Sequence, residues 1–97
     1  MKGMTVGDFI DKVYRGSEIE FVLSNTTYFV QGFCEDGKYV LTVDYWQKTD
    51  GSEPEHDYLL SVECDDPAER TAMFENAKIF NGKTIYEVES EIEVLYG

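Results

Sequence analysis

The spacing of apolar residues near the start of the chain predicts an amphipathic helix. Over residues 5–16 the apolar side chains recur at intervals of three and four residues and share one face: Val6, Phe9, Ile10, Val13 and Tyr14. Thr5 is the candidate N-cap, with Asp8 three positions later. Gly16 stands where a left-handed residue commonly ends a helix. We interpret this helix as a packing element.

The next segment alternates apolar and polar residues, which predicts a three-stranded antiparallel meander. The expected strands are residues 18–23, 27–33 and 39–46. Asn25-Thr26 is the weaker of the two turn signals, and Asp36-Gly37 is the stronger. One face of the third strand is apolar and the other is more polar, so we expect a sheet with one packed and one wetter face.

The middle of the chain predicts a loop, a strand and a helix. Residues 47–57 are charged and contain Gly and Pro, so we expect a mobile loop there. Residues 58–64 are rich in aliphatic and aromatic side chains and favour a fourth strand, with a short helix as the alternative. Asp66 followed by Pro67 predicts the start of a helix. This helix is expected to end at Asn76 or Ala77, with three inward residues: Met73, Phe74 and Ala77.

The C-terminal segment fits two periodicities. Four apolar residues follow helical spacing: Ile85, Val88, Ile92 and Leu95. Glutamates at every second position from 87 to 93 instead follow strand spacing. We favour a short helix from Thr84 to about Ser90, followed by an extended stretch over 92–96.

These elements predict an α+β fold in one domain over residues 1–97. An N-terminal helix and C-terminal helices pack on one face of an antiparallel sheet of three or four strands. The predicted core comprises Phe9, Ile10, Val13, Ile19, Phe21, Leu23, Tyr28, Val30, Leu41, Val43, Leu60, Val62, Phe74, Ile79 and Ile85. An open edge strand would allow a homodimer.

The charge of the chain restricts its partners. Among 97 residues, 20 are acidic and 8 are basic, which gives a formal net charge of −12. Phosphates of DNA and RNA and anionic membrane surfaces repel such a chain, so we expect neither direct nucleic-acid binding nor membrane binding. A basic protein partner is the expected alternative to acidity that serves solubility alone.

The chain is expected to be cytoplasmic. Its first residues are mixed polar and apolar, which disfavours a signal peptide, and no apolar stretch is long enough to span a bilayer. Cys34 and Cys64 are then most simply free thiols.

The sequence offers little for catalysis. His56 lies among carboxylates that could make it a general base or a metal ligand, but a solvated loop histidine is the preferred interpretation. Cys34 and Cys64 each lie beside acidic residues, which disfavours a thiolate. Two cysteines and one histidine do not form a zinc set, and the acidic loop lacks the EF-hand register. We therefore predict a non-enzymatic protein without cofactor or metal.

Aromatic residues next to the acidic loop suggest a partner-binding site. Carboxylates can take the place of nucleic-acid phosphates opposite Lys and Arg, and aromatics ringed by charge are typical interface anchors. The predicted partner-binding residues are Asp44, Tyr45, Trp46, Asp50, Glu53, Glu55, Asp57 and Tyr58. The competing hypothesis is a self-associating structural or adaptor domain.

Two segments carry a resemblance to known proteins. Residues 4–10 (MTVGDFI) and 76–89 (NAKIFNGKTIYEVE) resemble small, acidic, uncharacterised proteins of Gram-positive bacteria and their phages. In size, acidity and helix–meander–helix order the chain is also similar to type II anti-CRISPR proteins that mimic DNA. This similarity implies a phage or mobile-element inhibitor that occupies the basic surface of a host nucleic-acid-binding protein or nuclease. It assigns no functional residue.

Overall fold

The computed structural model describes the backbone of residues 1–47 and 55–97 and the side chains of residues 1–45 and 59–97. In chain order the elements are α1 (Val6–Tyr14), β1 (Ile19–Leu23), β2 (Thr26–Glu35), β3 (Lys38–Gln47), β4 (Glu55–Cys64), α2 (Pro67–Asn76), α3 (Ile85–Val88), a 3-10 turn (Glu89–Glu91) and β5 (Glu93–Tyr96). The strands form one antiparallel sheet in the order β4-β3-β2-β1-β5. The predicted α+β fold is confirmed.

The sheet is larger than predicted. It has five strands where three or four were expected, because residues 93–96 form β5 against β1. The predicted loop over 47–57 is wrong at both ends, since β3 includes Gln47 and β4 begins at Glu55. The charged segment 55–57 pairs with β3 residues 45–47. Main-chain pairing with a long neighbouring strand thus outweighs the polar composition that favoured a loop.

Two tight turns set the register of the meander. Asp36 and Gly37 have φ values of 52° and 77°, as a type I′ turn requires, and this turn was predicted. The first turn lies one residue earlier than predicted. Ser24 and Asn25 have φ values of 50° and 64°, and Leu23 pairs with Thr26.

Aromatic rings from all parts of the chain meet on the helix-covered face of the sheet. Phe9 of α1 packs against Phe21 of β1 at 5.4 Å and against Phe74 of α2 at 5.9 Å between ring centroids. Phe80, from the connection between α2 and α3, packs against Tyr28 at 5.3 Å and against Phe21 at 5.9 Å. Each contact adds aromatic pairing to the burial of apolar area.

Most of the predicted core is buried. The exceptions are half-buried side chains that pack against the core: Ile10, Leu60, Val62 and Ile79. Met73 is 44% exposed, so its predicted inward orientation is wrong, and the buried face of α2 instead carries Arg70, Thr71 and Phe74. Sequence analysis did not place Phe80, Val88 and Ile92 in the core, although all three are buried.

A buried arginine connects the helices to the sheet. Arg70 of α2 is 2% exposed, and its Nη2 donates to the Tyr14 carbonyl at 2.9 Å, at the C-terminal end of α1. Its Nη1 donates to the Val40 carbonyl of β3 at 3.3 Å, and the guanidinium lies 5.5 Å from the centre of the Tyr39 ring. A cation at the C-terminus of a helix interacts favourably with the helix dipole. Arg70 therefore holds α1, α2 and β3 in one arrangement.

Two glycines make room for this guanidinium. Gly16 follows α1 with a φ of 74°, and Gly32 lies opposite it in β2. A Cβ at Gly32 would lie 2.7 Å from the Gly16 Cα and 3.2 Å from Arg70 Nη1, which is closer than packed atoms tolerate. The backbone approach of α1 to the sheet thus requires glycine at position 32.

Replacement of Arg70 tests this connection. Arg70→Met keeps the apolar stem but removes the side-chain donors to the Tyr14 and Val40 carbonyls, so the free energy of unfolding should fall by about 2 kcal/mol. Denaturant unfolding at neutral pH measures the change. Arg15→Met is the matched control, because Arg15 is exposed and its ion pair among the described residues is with Asp11, and its effect should stay below about 1 kcal/mol. An Arg70→Met protein as stable as the parent would contradict this role.

Candidate functional site

The helices leave one face of the sheet uncovered. We call this the open face and define it by the side chains that alternate with the core positions along the central strands. It comprises Glu20, Val22, Thr27, Phe29, Gln31, Phe33, Glu35, Lys38, Val40, Thr42, Asp44, Ser61 and Glu63. Phe33 is 38% exposed there, whereas Val40 is 8% exposed because its neighbours cover it.

Strand register arranges the open face in rows across the sheet. One row aligns Glu20, Phe29 and Asp44, so that a ring lies between two carboxylate residues. The next row aligns Gln31, Thr42 and Ser61. A third row aligns Phe33, Val40 and Glu63. Aromatic and short polar side chains thus occupy the inner strands β2 and β3 together with Asp44, whereas Glu20 and Glu63 lie on the flanking strands β1 and β4. Rings flanked by acidic side chains suit an anchor with a polar rim.

A groove crosses the open face near one end of the sheet. It has a volume of about 340 Å³ and is lined by Phe33, Glu35, Val40, Thr42, Ser61, Val62 and Glu63. Its surface combines an aromatic ring, two hydroxyls and two carboxylates. Such a lining can accept a long cationic side chain, with its stem against the ring and its charge between the carboxylates.

The basic residues do not balance this acidity. Lys38 is the one basic residue in the open face as defined, and it forms an ion pair with Asp65. The hydrogen bond between them raises the pKa of Lys38 and lowers the pKa of Asp65, so both groups are charged at neutral pH. Elsewhere Lys2 pairs with Glu93 at 3.8 Å and Arg15 pairs with Asp11 at 3.0 Å. Among the described residues, Glu20, Glu35 and Glu63 of the open face form no ion pair, so they leave negative charge on this face.

The structure separates the first two predicted partner-binding residues. Asp44 belongs to the open face and is 7% exposed. Tyr45, predicted as an exposed aromatic, instead packs against the core, with its ring 6.4 Å from that of Tyr28. The two residues are consecutive on a strand, so their side chains point to opposite faces. They cannot contribute to one flat interface.

Tyr45 lines a second cavity on the helix-covered side. It has a volume of about 230 Å³ and is lined by Thr26, Tyr28, Tyr45, Leu59, Ile79 and Asn81. Burial, and then the neighbouring Tyr45, raise the pKa of Tyr28 there. This cavity is smaller than the groove and carries no carboxylate.

The remaining predicted residues lie at or beyond the limits of the described structure. Asp50 and Glu53 lie outside the described residues. Trp46 belongs to β3, and Glu55, Asp57 and Tyr58 belong to β4, but their side chains lie outside the description. In the backbone register Tyr58 lies opposite Asp44 and His56 lies opposite Trp46. These positions keep their predicted roles as hypotheses.

Sequence analysis missed Phe29, Phe33 and Glu63 as site residues. Phe29 and Phe33 alternate with Tyr28 and Val30 in the printed sequence, so they had to fall on the face opposite the core. That alternation was the available signal. The groove itself depends on the register between β2, β3 and β4, which the residue pattern alone does not give.

The described side chains offer little reactive chemistry. Across residues 1–45 and 59–97, no group of three or more His, Cys, Asp or Glu residues could hold a metal ion. Cys34 is an exposed free thiol and Cys64 is a buried one. Burial, followed by the Glu69 and Asp66 carboxylates, raises the pKa of Cys64, whose Sγ lies 3.2 Å from Met73 Sδ. Among the described helices, none combines the length and apolar content needed to cross a bilayer.

The two thiols should differ in reactivity. With a disulfide reagent at pH 8, Cys34 should react fast because it is exposed, and Cys64 should react only when the protein is unfolded, because it is buried and its pKa is raised. Absorbance of the released thiolate measures both phases. Cys34→Ser should abolish the fast phase. If two thiols per folded chain reacted in the fast phase, that result would contradict the burial of Cys64.

Comparison of this chain with models of protein families, with curated proteins and with solved structures finds no match in any of the three.

Proposed function

We propose that this chain is a non-enzymatic binding protein that occupies the basic, nucleic-acid-binding surface of a partner protein. The observation that carries the proposal is the open face, where Phe29 and Phe33 stand among Glu20, Asp44 and Glu63. Carboxylates on this face take the place of phosphates opposite Lys and Arg of the partner. The rings supply contact area that salt hardly affects.

The arrangement of charge supports a charged partner rather than solubility alone. Acidity that serves only solubility needs no particular placement. Here Lys38 on the open face is neutralised by Asp65, and the central rows combine carboxylates with rings. A net charge of −12 also steers a basic partner toward the chain and disfavours direct contact with nucleic acid. As part of this proposal, we place the protein in the cytoplasm as a phage or mobile-element inhibitor of a host nuclease or other nucleic-acid-binding protein.

Self-association is the second candidate. It is favoured by the outer edge of β4, whereas the outer side of β5 is partly paired with Lys2. An adaptor of this kind would form a dimer whose population depends on concentration. Its dimer would become more stable as salt rises, because salt screens the repulsion between two acidic chains. Binding to a basic partner has the opposite salt dependence.

Neutralisation of the open face tests the proposed function. A partner is recovered from host lysate, identified by mass and purified, and its affinity for the chain is measured at several salt concentrations. Glu20→Gln with Glu63→Gln should weaken binding about tenfold and flatten its salt dependence, because two interface charges are lost. DNA or RNA bound by the partner should compete with the parent chain.

Glu89→Gln with Glu91→Gln is the matched control. It removes the same net charge from the 3-10 turn, outside the open face, and should change the affinity less than about twofold. Combined neutralisation of Asp50, Glu53, Glu55 and Asp57 tests the predicted loop site separately. The proposal would be contradicted if the open-face variant and its control lost the same affinity for the partner. It would also be contradicted if DNA or RNA did not compete with the parent chain for the partner.

A further inference from the structure

The outer edge of β4 is an unpaired strand edge beside the groove. β4 pairs with β3 on one side, and within the described backbone no other segment pairs with its outer side. It is ten residues long, from Glu55 to Cys64. Such an edge offers main-chain donors and acceptors to another extended segment.

Strand alternation shows which main-chain groups face that edge. The two-residue turn makes Glu35 and Lys38 a hydrogen-bonded pair, so the even-numbered residues of β3 bond to β2 and the odd-numbered ones bond to β4. Leu41 of β3 therefore bonds to Val62 of β4. The main-chain groups of Ser61 and Glu63 consequently point outward.

The same two residues line the groove. In an antiparallel pair, the side chain opposite Glu63 would lie on the open face beside the Glu63 carboxylate. A long cationic side chain there can cross the short Ser61 side chain and reach Phe33 and Glu35. The edge and the groove thus form one continuous surface.

The other face of an added strand would meet apolar groups. Val62 of β4 is half-buried, and Met73 of α2 is 44% exposed next to Cys64, with its sulfur 3.2 Å from the Cys64 sulfur. Met73 therefore adds exposed apolar surface next to Cys64, at the end of β4. An incoming strand would place apolar side chains on this side and charged side chains on the open face.

We propose that β4 binds an extended segment of alternating cationic and apolar residues as a sixth strand, with a cationic side chain in the groove. This inference rests on the proposed function and specifies how the basic partner is recognised. Charge complementarity selects this occupant over a second copy of the chain.

Residues 55–66, which comprise β4 and the two residues after it, contain five acidic residues. They are Glu55, Asp57, Glu63, Asp65 and Asp66. The same segment contains neither Lys nor Arg. Pairing of two β4 strands would therefore bring like charges together, which destabilises a sheet, whereas a cationic strand would be attracted.

The test uses a capped eight-residue peptide in which arginine and valine alternate. Its binding to the whole chain is followed by calorimetry and by amide chemical shifts. The largest shifts are expected at Ser61 and Glu63. A second peptide of the same sequence carries N-methyl groups on the amides that would face β4, and it should bind at least about tenfold more weakly, because main-chain pairing is lost while charge is kept.

Variants of the β4 edge distinguish the contribution of main-chain pairing to peptide binding from that of the Glu63 charge. Ser61→Pro removes an outward N–H without removing a bond to β3, so the fold should persist while peptide affinity falls at least about tenfold. Ser61→Thr is the matched control, because it keeps the N–H, and it should bind like the parent. Glu63→Gln should weaken binding about fivefold and reduce its salt dependence.

Three results would overturn the inference. The first is no binding of the arginine–valine peptide, and the second is equal binding by the N-methylated peptide or by folded Ser61→Pro. The third is a dimer of the chain that Ser61→Pro abolishes, which would assign the edge to a second copy. These outcomes leave the proposed function open, because that proposal fails on the open-face variants and on nucleic-acid competition instead.

Discussion

The buried guanidinium of Arg70 is the interaction on which the arrangement of helices and sheet depends. It joins the end of α1 to β3 through the Tyr14 and Val40 carbonyls. Its Nε has no acceptor among the described residues, so the main-chain bonds of the other nitrogens and the nearby Tyr39 ring offset its desolvation. Gly32 leaves the space that this geometry needs.

This arrangement places all three helices on one face of the sheet and leaves the other face open. The closed face holds the aromatic cluster around Phe21 and Phe80, which supplies the apolar burial. The open face is then free of any packing requirement from the helices. We propose that its rings and carboxylate at Phe29, Phe33 and Glu63 contact a partner.

The residue pattern predicted the fold class because it reports local periodicity. The helix at 6–14, the meander and the Asp36-Gly37 turn all follow from such local signals. It did not predict β4 from Glu55 or the burial of Arg70, because both depend on partners distant in sequence. For the same reason it did not predict which face of the sheet each candidate site residue occupies. Asp44 is on the open face, whereas Tyr45 packs on the core.

Hydrogen exchange of the complex with the purified partner tests the central claim most directly. The claim is that the partner contacts the open face and the β4 edge. The account predicts slower amide exchange in residues 59–64 when the partner is bound, because outward N–H groups become paired. Exchange in α1 should be unchanged. Slower exchange confined to α1 and α2, with β4 unaffected, would contradict the account.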